Sequence, residues 1–304
     1  MPRLLWLTHA AIVAWAVWPQ TGAAPPVRAS VDLVSLPVVV TSKGQPVLGL
    51  TADDFEIREG GVRQNIVAFA DALSDTVPVQ LGLMLDKSLS MERDLEAASN
   101  AAIRFVNDFS EARDVTFVEF ERTVRLGRYQ PSNYPQLFER MRDRKTGWGT
   151  ALYDALGRYV ESTRDRTGIH VLVMYTDGGD SMSDLGASAV IEMLRGGRVM
   201  LYAIGYTAHQ SGSSRFIQEG LLQLFARETG GAVFFPGSPR DLERIYGTIR
   251  GEVRGRYTLG YVSTNQKQDG TFRKVQVRLA GTPRRDTDVR TRTGYIAPKI
   301  KTSP

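Results

Sequence analysis

Three short oxygen-bearing side chains lie close together in the sequence, directly after the apolar run 79–85. Asp86, Ser88 and Ser90 form the pattern Asp-x-Ser-x-Ser. Alternate side chains of an extended segment point the same way, so these three oxygens can converge on one point. Oxygen ligands suit a hard divalent cation such as Mg²⁺. The pattern predicts a cation site, and the simpler alternative is a loop whose last serine caps the following helix.

Two further oxygen donors occur in similar local settings. Thr150 follows a Gly-Trp-Gly segment at the expected start of a helix, and Asp177 follows the apolar run 169–176 and precedes two glycines. Alone, Thr150 would be an ordinary helix cap and Asp177 an ordinary Asp-Gly turn. Both also fall where a strand leaves a sheet or a loop enters a helix. We therefore expect them at the same edge as the Asp-x-Ser-x-Ser segment.

The elements that must position these side chains lie between residues 77 and 251. Apolar runs at 79–85, 115–120, 169–176 and 199–206 alternate with segments whose apolar residues have helical spacing. This alternation predicts an α/β fold, a doubly wound, mostly parallel sheet with helices on both faces. Ligands of such folds bind at the carboxyl ends of the strands, which is where the five polar side chains fall.

The flanking segments 27–73 and 255–298 have a different pattern. Their apolar residues alternate with a period of two, and glycines mark the turns. A β-meander of this length is marginal without a packing partner. We therefore expect the two segments to pair into one small β domain, with residues 77–251 inserted between them.

Residues 1–24 have the order of a signal peptide. A basic start is followed by an apolar stretch at 4–18 and by a small, turn-rich segment. The stretch is shorter than the ~20 residues that span a bilayer, although an uncleaved anchor is the alternative. No later apolar run is long enough to span. We expect an exported protein, periplasmic, cell-surface or secreted, with no membrane span after cleavage.

Composition limits the remaining classes. The chain has 304 residues, 42% of them hydrophobic, and 38 − 33 basic and acidic residues give a net charge of +5. The charge is mild and spread along the chain, so we expect no nucleic-acid partner. The absence of cysteine excludes a disulfide scaffold, zinc ribbons and thiol catalysis.

These motifs together resemble the von Willebrand factor type A domain. The similarity rests on Asp-x-Ser-x-Ser, on Gly-Thr-Ala-Leu at 149–152 and on Thr-Asp-Gly at 176–178, in that order. It covers roughly residues 77–251. More narrowly, the chain is similar to exported type A proteins described from acidobacteria, whose terminal segments resemble those found here.

The resemblance implies a metal-ion-dependent adhesion site made of Asp86, Ser88, Ser90, Thr150 and Asp177. The three hydroxyls would bind the cation directly, and the two aspartates would act largely through water. The ion implied is Mg²⁺, with Mn²⁺ or Ca²⁺ as alternatives. With neutral direct ligands the metal favours an incoming carboxylate, so the expected ligand is an Asp or Glu of a protein partner. The expected function is therefore adhesion by an exported protein.

The alternative is a structural or assembly module of the cell envelope whose metal site is not functional. Two departures from the family pattern bear on this choice, Lys87 and Leu89, because relatives often have small residues there. An enzyme is not expected. A phosphatase of the haloacid dehalogenase type needs a second aspartate where Ser88 stands, and no histidine accompanies a serine nucleophile motif.

Overall fold

The computed structural model describes residues 33–71, 78–109, 112–208, 210, 212–281 and 286–299. The expected signal peptide at 1–24 lies outside these residues, as do the expected domain limits at 27, 73 and 77. Within the described ranges, no helix is both long enough and apolar enough to cross a membrane.

The strands of the described residues, in chain order, are β1 (Leu33–Ser42), β2 (Gln45–Pro46), β3 (Phe55–Glu59), β4 (Val62–Gln64), β5 (Ile66–Asp71), β6 (Val79–Asp86), β7 (Ala112–Phe120), β8 (Val124–Tyr129), β9 (Ile169–Thr176), β10 (Val199–Gly205), β11 (Ala232–Phe234), β12 (Tyr257–Val262), β13 (Phe272–Leu279), β14 (Thr287–Arg290) and β15 (Gly294–Ile296). The α-helices are α1 (Glu92–Asp108), α2 (Tyr134–Arg142), α3 (Leu152–Ser162), α4 (Ala187–Gly196), α5 (Gly212–Thr229) and α6 (Asp241–Arg254).

Six strands form the central sheet, in the order β11-β10-β9-β6-β7-β8. All neighbours are parallel except β7 and β8. Every residue of β6 and β9 is buried, as expected for strands covered on both faces. Helices α1, α2 and α6 pack on one face, and α3, α4 and α5 pack on the other.

The remaining strands form two antiparallel sheets that share an apolar core. One has the order β14-β1-β12-β5, with β2 on β1, and the other has the order β15-β13-β3-β4. Strand β1 pairs with β12, and β3 pairs with β13. Leu36 and Leu259 from one sheet and Ile57 and Val275 from the other lie in one buried cluster.

Both parts of the predicted fold class are thus confirmed. The central unit is a doubly wound α/β sheet, and a small β sandwich is built by strands from both ends of the described chain. Neither terminal segment could bury its apolar face alone, which explains why the two combine.

Candidate metal centre

The strand order of the central sheet creates a crevice at the carboxyl ends of its strands, which form one edge of the sheet. From β6 the chain continues to β7 on one side, and it later returns to β9 on the other side of β6. Neighbouring connections leave in opposite directions there, so the carboxyl ends of β6 and β9 border an open crevice. Asp86 ends β6, and Thr176 ends β9 immediately before Asp177.

Asp86 is completely buried and is held by groups from both strands. Its Oδ1 accepts a hydrogen bond from the backbone N–H of Ser88 at 2.9 Å, and its Oδ2 accepts one from the Thr176 hydroxyl at 2.7 Å. The Thr176 hydroxyl also accepts the N–H of Gly178 at 3.0 Å. The carboxylate is thereby fixed at the crevice between β6 and β9.

The two serines of the motif lie beside each other on the segment that follows. The Ser88 and Ser90 hydroxyl oxygens are 3.0 Å apart, within hydrogen-bond distance. Ser88 is buried and Ser90 is exposed. Ser90 does not cap the next helix through its side chain, because the short turn Leu89–Met91 leads into α1 and neither has a side-chain cap. The capping alternative for Ser90 is therefore wrong.

Backbone hydrogen bonds attach the loop of Thr150 to the loop of the serines. The N–H of Leu89 donates to the carbonyl of Gly147 at 3.1 Å, and the N–H of Gly147 donates to the carbonyl of Lys87 at 3.0 Å. Thr150 is buried three residues further on, before α3. Among the described residues, none hydrogen-bonds to its hydroxyl. This oxygen therefore remains available to a ligand.

A reciprocal set of hydrogen bonds attaches the start of α3 to the segment after Asp177. The N–H of Thr150 donates to the Ser181 hydroxyl at 3.1 Å, and the Thr150 carbonyl accepts the N–H of Ser181 at 2.9 Å. Asp180 accepts the N–H of Tyr153 at 3.0 Å, and Asp154 accepts the N–H of Leu185 at 3.0 Å. These contacts lock the loop of Thr150 against the loop of Asp177, so the three loops meet at one edge.

Glycine is required within this arrangement at position 149. Its φ of +82° lies in the left-handed region, and a Cβ atom there would lie 2.4 Å from Cγ of Met182. Any other residue would be strained at this φ and would displace the side chain of Met182, which packs between the loops of Thr150 and Asp177.

The electrostatics of the edge are unfavourable for the protein alone. Burial and, to a smaller extent, the nearby Asp177 carboxylate raise the pKa of Asp86 to about 7, despite the hydrogen bonds from Ser88 and Thr176. Asp177 is itself buried, and its Oδ1 accepts the N–H of Gly179 at 3.0 Å. Two adjacent buried carboxylates without a cation repel each other.

The ammonium group of Lys87 does not neutralise the carboxylates of Asp86 and Asp177. Its side chain is buried, and its ammonium pairs with Glu119 of β7 at 2.8 Å and donates to the carbonyl of Arg140 at 3.3 Å. Glu119 also pairs with Arg125 and Arg140. The positive charge of Lys87 is therefore paired with Glu119, in a cluster that also contains Arg125 of β8 and Arg140 of α2.

The donor set fits a hard cation. Within the described part of the chain, no group of three or more His, Cys, Asp or Glu side chains is placed to hold a metal. The candidate centre instead combines two carboxylates with three hydroxyls, all of them oxygen donors. The structure brings Asp86, Ser88 and Ser90 directly together, sets Asp177 beside Asp86, and attaches the loop of Thr150 to both neighbouring loops.

Sequence reasoning missed the residues that position this set. Thr176, which holds Asp86 through its hydroxyl, could have been found from one signal, a hydroxyl residue at the end of a largely apolar strand. The contacts of Asp154, Asp180 and Ser181 cross between distant segments, and no local pattern reveals such partners.

The family model for the von Willebrand factor type A domain matches residues 80–248, more than half of the chain. This chain belongs to the von Willebrand factor type A (VWA) domain family. The match spans the central sheet from the second residue of β6 onward, helices α1 to α5 and the first half of α6, and it leaves the β sandwich outside. A search of curated proteins gave no match.

Solved structures with a similar fold include three from bacteria. An aerotolerance-related membrane protein from Bacteroides fragilis is 19% identical, with 58% of this chain and 98% of that chain covered and a TM-score of 0.47. A von Willebrand factor type A protein from Catenulispora acidiphila is 11% identical, with coverage of 86% and 74% and a TM-score of 0.48. The vWF domain of the type V pili tip protein Mfa5 from Porphyromonas gingivalis is 12% identical, with coverage of 58% and 96% and a TM-score of 0.44. Similarity at this level concerns the fold alone.

Proposed function

We propose that this VWA-domain protein is exported, binds a divalent cation, and uses the cation to bind an acidic side chain of a protein partner. Ser88, Ser90 and Thr150 would hold the cation through their hydroxyls, and Asp86 and Asp177 would hold it largely through water. When bound, the ion supplies an electron-poor position that accepts a carboxylate oxygen. Mg²⁺ is the ion proposed, with Mn²⁺ or Ca²⁺ as alternatives.

One observation carries this proposal. A buried Asp86 lies near a second buried carboxylate, Asp177, at an edge where the Thr150 hydroxyl has no hydrogen-bond partner among the described residues. A cation at this edge would relieve the repulsion between the carboxylates and would give the hydroxyl oxygens a ligand. The arrangement is therefore better suited to the loaded protein than to the metal-free one.

Apolar side chains around the same edge suggest how a partner would be held. We call this set the apolar rim: Leu89, Trp148, Met182, Phe216 and Ile217. These are five of the ten large apolar side chains that are exposed among the described residues. Gln218, which follows Ile217 in α5, lies 3.1 Å from the position of a Cβ at Gly178, so the start of α5 reaches the loop of Asp177.

The proposed partner surface follows from this combination. A polar centre surrounded by exposed apolar groups matches the general anatomy of a protein–protein contact, in which aromatic anchors provide most of the binding energy. Trp148, with 82% of its surface exposed, and Phe216, with 80%, are the strongest anchors. We expect the bound carboxylate to belong to a segment with apolar neighbours.

We propose binding without catalysis. His170 is buried at the amino-terminal part of β9, and one of its ring nitrogens lies 3.4 Å from the carbonyl of Arg166. It is therefore at the opposite end of the strand from Thr176. The export component rests on the order of residues 1–24 in the sequence.

Titration calorimetry of the purified protein with MgCl₂ tests the metal. We expect wild-type protein to bind, and Asp177→Asn, which keeps an oxygen for the N–H of Gly179, to bind about 10–100-fold more weakly. Asp165→Asn is the matched control, because Asp165 is exposed before β9 at the other edge of the sheet. Absence of binding of Mg²⁺, Mn²⁺ and Ca²⁺ by wild type would favour the structural module instead.

Selection from a displayed random-peptide library tests the partner chemistry. We expect selection in MgCl₂ to enrich peptides that contain Asp or Glu next to apolar residues, and we expect their binding to be lost in EDTA. Enrichment of peptides without an acidic residue, or binding that is unchanged by EDTA, would contradict metal-mediated recognition.

A further inference from the structure

A groove of about 690 Å³ is lined by residues from segments 223–233, 274–278 and 289–293. None of these segments contributes a residue to the candidate metal centre. The groove is bordered by the end of α5, by β11, and by strands β13 and β14 of the sandwich. The side chain of Arg290 crosses between the two parts and donates to the carbonyl of Gly231 at 2.7 Å. We call this cavity the basic groove.

Three strand edges face the basic groove. Strands β11 and β14 each end their sheet. Strand β15 pairs only with the Phe272–Lys274 part of β13, so the part from Val275 to Leu279 has a strand neighbour, β3, on one side only. An exposed strand edge carries unpaired N–H and C=O groups and can accept a further strand.

The hydrogen-bond pattern of β13 shows which groups are available. Gly60 donates to the carbonyl of Lys274, and Ala280 donates to the carbonyl of Asp54, so the even-numbered residues of β13 face β3. The N–H of Val275 points to the other side of β13, away from β3, and donates to the carbonyl of Thr293. Val277 therefore directs its N–H and C=O toward the groove. Within the described ranges, no backbone hydrogen bond reaches it from that side.

All charged side chains that line the groove are basic. Its lining contains five basic residues and no acidic one: Arg227, Lys274, Arg278, Arg290 and Arg292. Two of them have carboxylate partners outside the lining, because Arg278 pairs with Glu56 at 2.7 Å and Arg290 pairs with Glu252 at 2.5 Å.

The other three basic residues form no close ion pair with a described residue, although Arg227 is near enough to Glu228 to help lower the pKa of that carboxyl. Among the described residues, no carboxylate lies within ion-pair distance of Arg227, Lys274 or Arg292. Arg292 donates to the carbonyls of Gly294 and Arg195, so its guanidinium is already held by backbone oxygens. Burial and, to a smaller extent, the neighbouring Arg198 lower the pKa of Arg292 to about 10. Arg227 and Lys274 are exposed, so they are the cations that an anion in the groove can reach.

We propose that the basic groove binds an extended acidic segment of a protein partner, which adds as a strand along Val275 to Leu279 of β13. The backbone of the segment would pair with Val277, and its carboxylates would meet the exposed cations of Arg227 and Lys274. Five residues of strand span about 13 Å, which sets the length of the recognised segment at four to five residues. An unpaired strand edge recognises a peptide backbone, which distinguishes this partner from a nucleic acid with the same charge.

A labelled eight-residue peptide of alternating Val and Glu is the probe, and fluorescence anisotropy is the measurement. EDTA is present throughout, so the proposed metal centre cannot contribute and its failure would leave this result unaffected. We expect the probe to bind wild type, and we expect binding to fall about tenfold or more in Arg227→Glu with Lys274→Glu, whose exposed positions should not disturb folding. Arg63→Glu with Arg240→Glu, also exposed, is the matched control and should bind normally.

Backbone pairing is tested separately with the peptide. A Val-Glu peptide methylated on alternate backbone nitrogens keeps its charge but loses donors, and we expect it to bind at least about tenfold more weakly. A Val-Gln peptide should also bind weakly. The proposal is overturned if the Val-Glu peptide does not bind, if the methylated peptide binds equally well, or if a single-stranded oligonucleotide of equal charge competes as effectively as the peptide.

Discussion

Two buried carboxylates, one in each part of the molecule, are surrounded by hydroxyl groups in different ways. In the sandwich, Glu59 accepts hydrogen bonds from Ser263 at 2.7 Å, Tyr261 at 2.8 Å and Tyr295 at 3.0 Å. In the central sheet, Asp86 accepts one hydroxyl and one backbone N–H, and a second carboxylate lies nearby.

The difference indicates what each site is for. All three donors of Glu59 come from the carboxyl-terminal segment, so this carboxylate joins β3 to β12 and to β15. Burial and Glu59 raise the pKa of the Tyr261 hydroxyl, which therefore stays a donor at every relevant pH. Glu59 is satisfied by hydroxyl donors alone, whereas Asp86 also lies near a second buried carboxylate, an arrangement that suits the proposed cation.

The largest effect is expected when the acceptor is removed from the sandwich. Glu59→Ala leaves three buried hydroxyls without their acceptor, and we expect it to lower the free energy of unfolding by about 4–6 kcal/mol. Urea unfolding followed by circular dichroism measures this. Glu56→Ala, on the same strand but in an exposed ion pair with Arg58 and Arg278, should change stability little. Equal losses in the two variants would show that Glu59 has no special role.

The next largest effect depends on pH, and here the substitution is expected to raise the free energy of unfolding rather than lower it. Because the pKa of folded Asp86 is raised to about 7, folded metal-free protein binds this proton more tightly than unfolded protein does. Its contribution to the free energy of unfolding therefore falls as pH rises from about 4 to about 7, and it stays low above that. We expect the free energy of unfolding of Asp86→Asn, in EDTA, to rise by about 3–4 kcal/mol relative to wild type across this interval.

Urea unfolding at a series of pH values measures the difference between Asp86→Asn and wild type. With saturating MgCl₂ the order should reverse at pH 8, because only wild type would be stabilised by the ion. Asp165→Asn, which is exposed, should show no such pH-dependent difference. If the Asn variant is less stable than wild type in EDTA at pH 8, Asp86 resembles Glu59 and serves the fold.

The fold was largely predictable because burial leaves a mark on local sequence. The run predicted at 169–176 is the strand Ile169–Thr176, since a strand that is buried on both faces must be largely apolar. The pairing of the terminal segments was predictable from the lack of any other partner. Strand registers such as Leu36 opposite Leu259 were not predictable, because they depend on the two distant segments together.

The candidate centre was predictable in its composition but not in its support. The five oxygen-bearing residues stand at strand and helix ends, which periodicity locates. Asp180 accepts a hydrogen bond from the Ser183 hydroxyl within its own turn, but it also accepts the N–H of Tyr153 in α3, which is distant in the sequence. The direction of the Lys87 side chain was equally hidden, because it depends on Glu119, whose strand is adjacent only in the folded sheet.

A smaller effect on stability should separate two buried threonines. The Thr163 hydroxyl donates to the carbonyl of Val160 at 2.7 Å, whereas the Thr150 hydroxyl has no partner among the described residues. We expect Thr163→Val to cost about 1 kcal/mol with Mg²⁺ affinity unchanged, and Thr150→Val to cost less but to weaken Mg²⁺ binding by about tenfold or more. Unfolding and calorimetry measure the two quantities. Normal Mg²⁺ binding by Thr150→Val would remove this residue from the proposed ligand set.

The smallest effect on stability is expected at the apolar rim, and there it isolates partner binding from metal binding. Trp148 is 82% exposed, so Trp148→Ala should change the free energy of unfolding by less than about 0.5 kcal/mol and should leave Mg²⁺ affinity intact. Peptides selected in MgCl₂ should nevertheless bind it about tenfold more weakly, because aromatic anchors dominate such contacts. Leu48→Ala, at an exposed position of the β domain, is the control and should bind them normally. Unchanged peptide binding by Trp148→Ala would mean that the carboxylate alone is recognised, and that the rim residues take no part in choosing the partner.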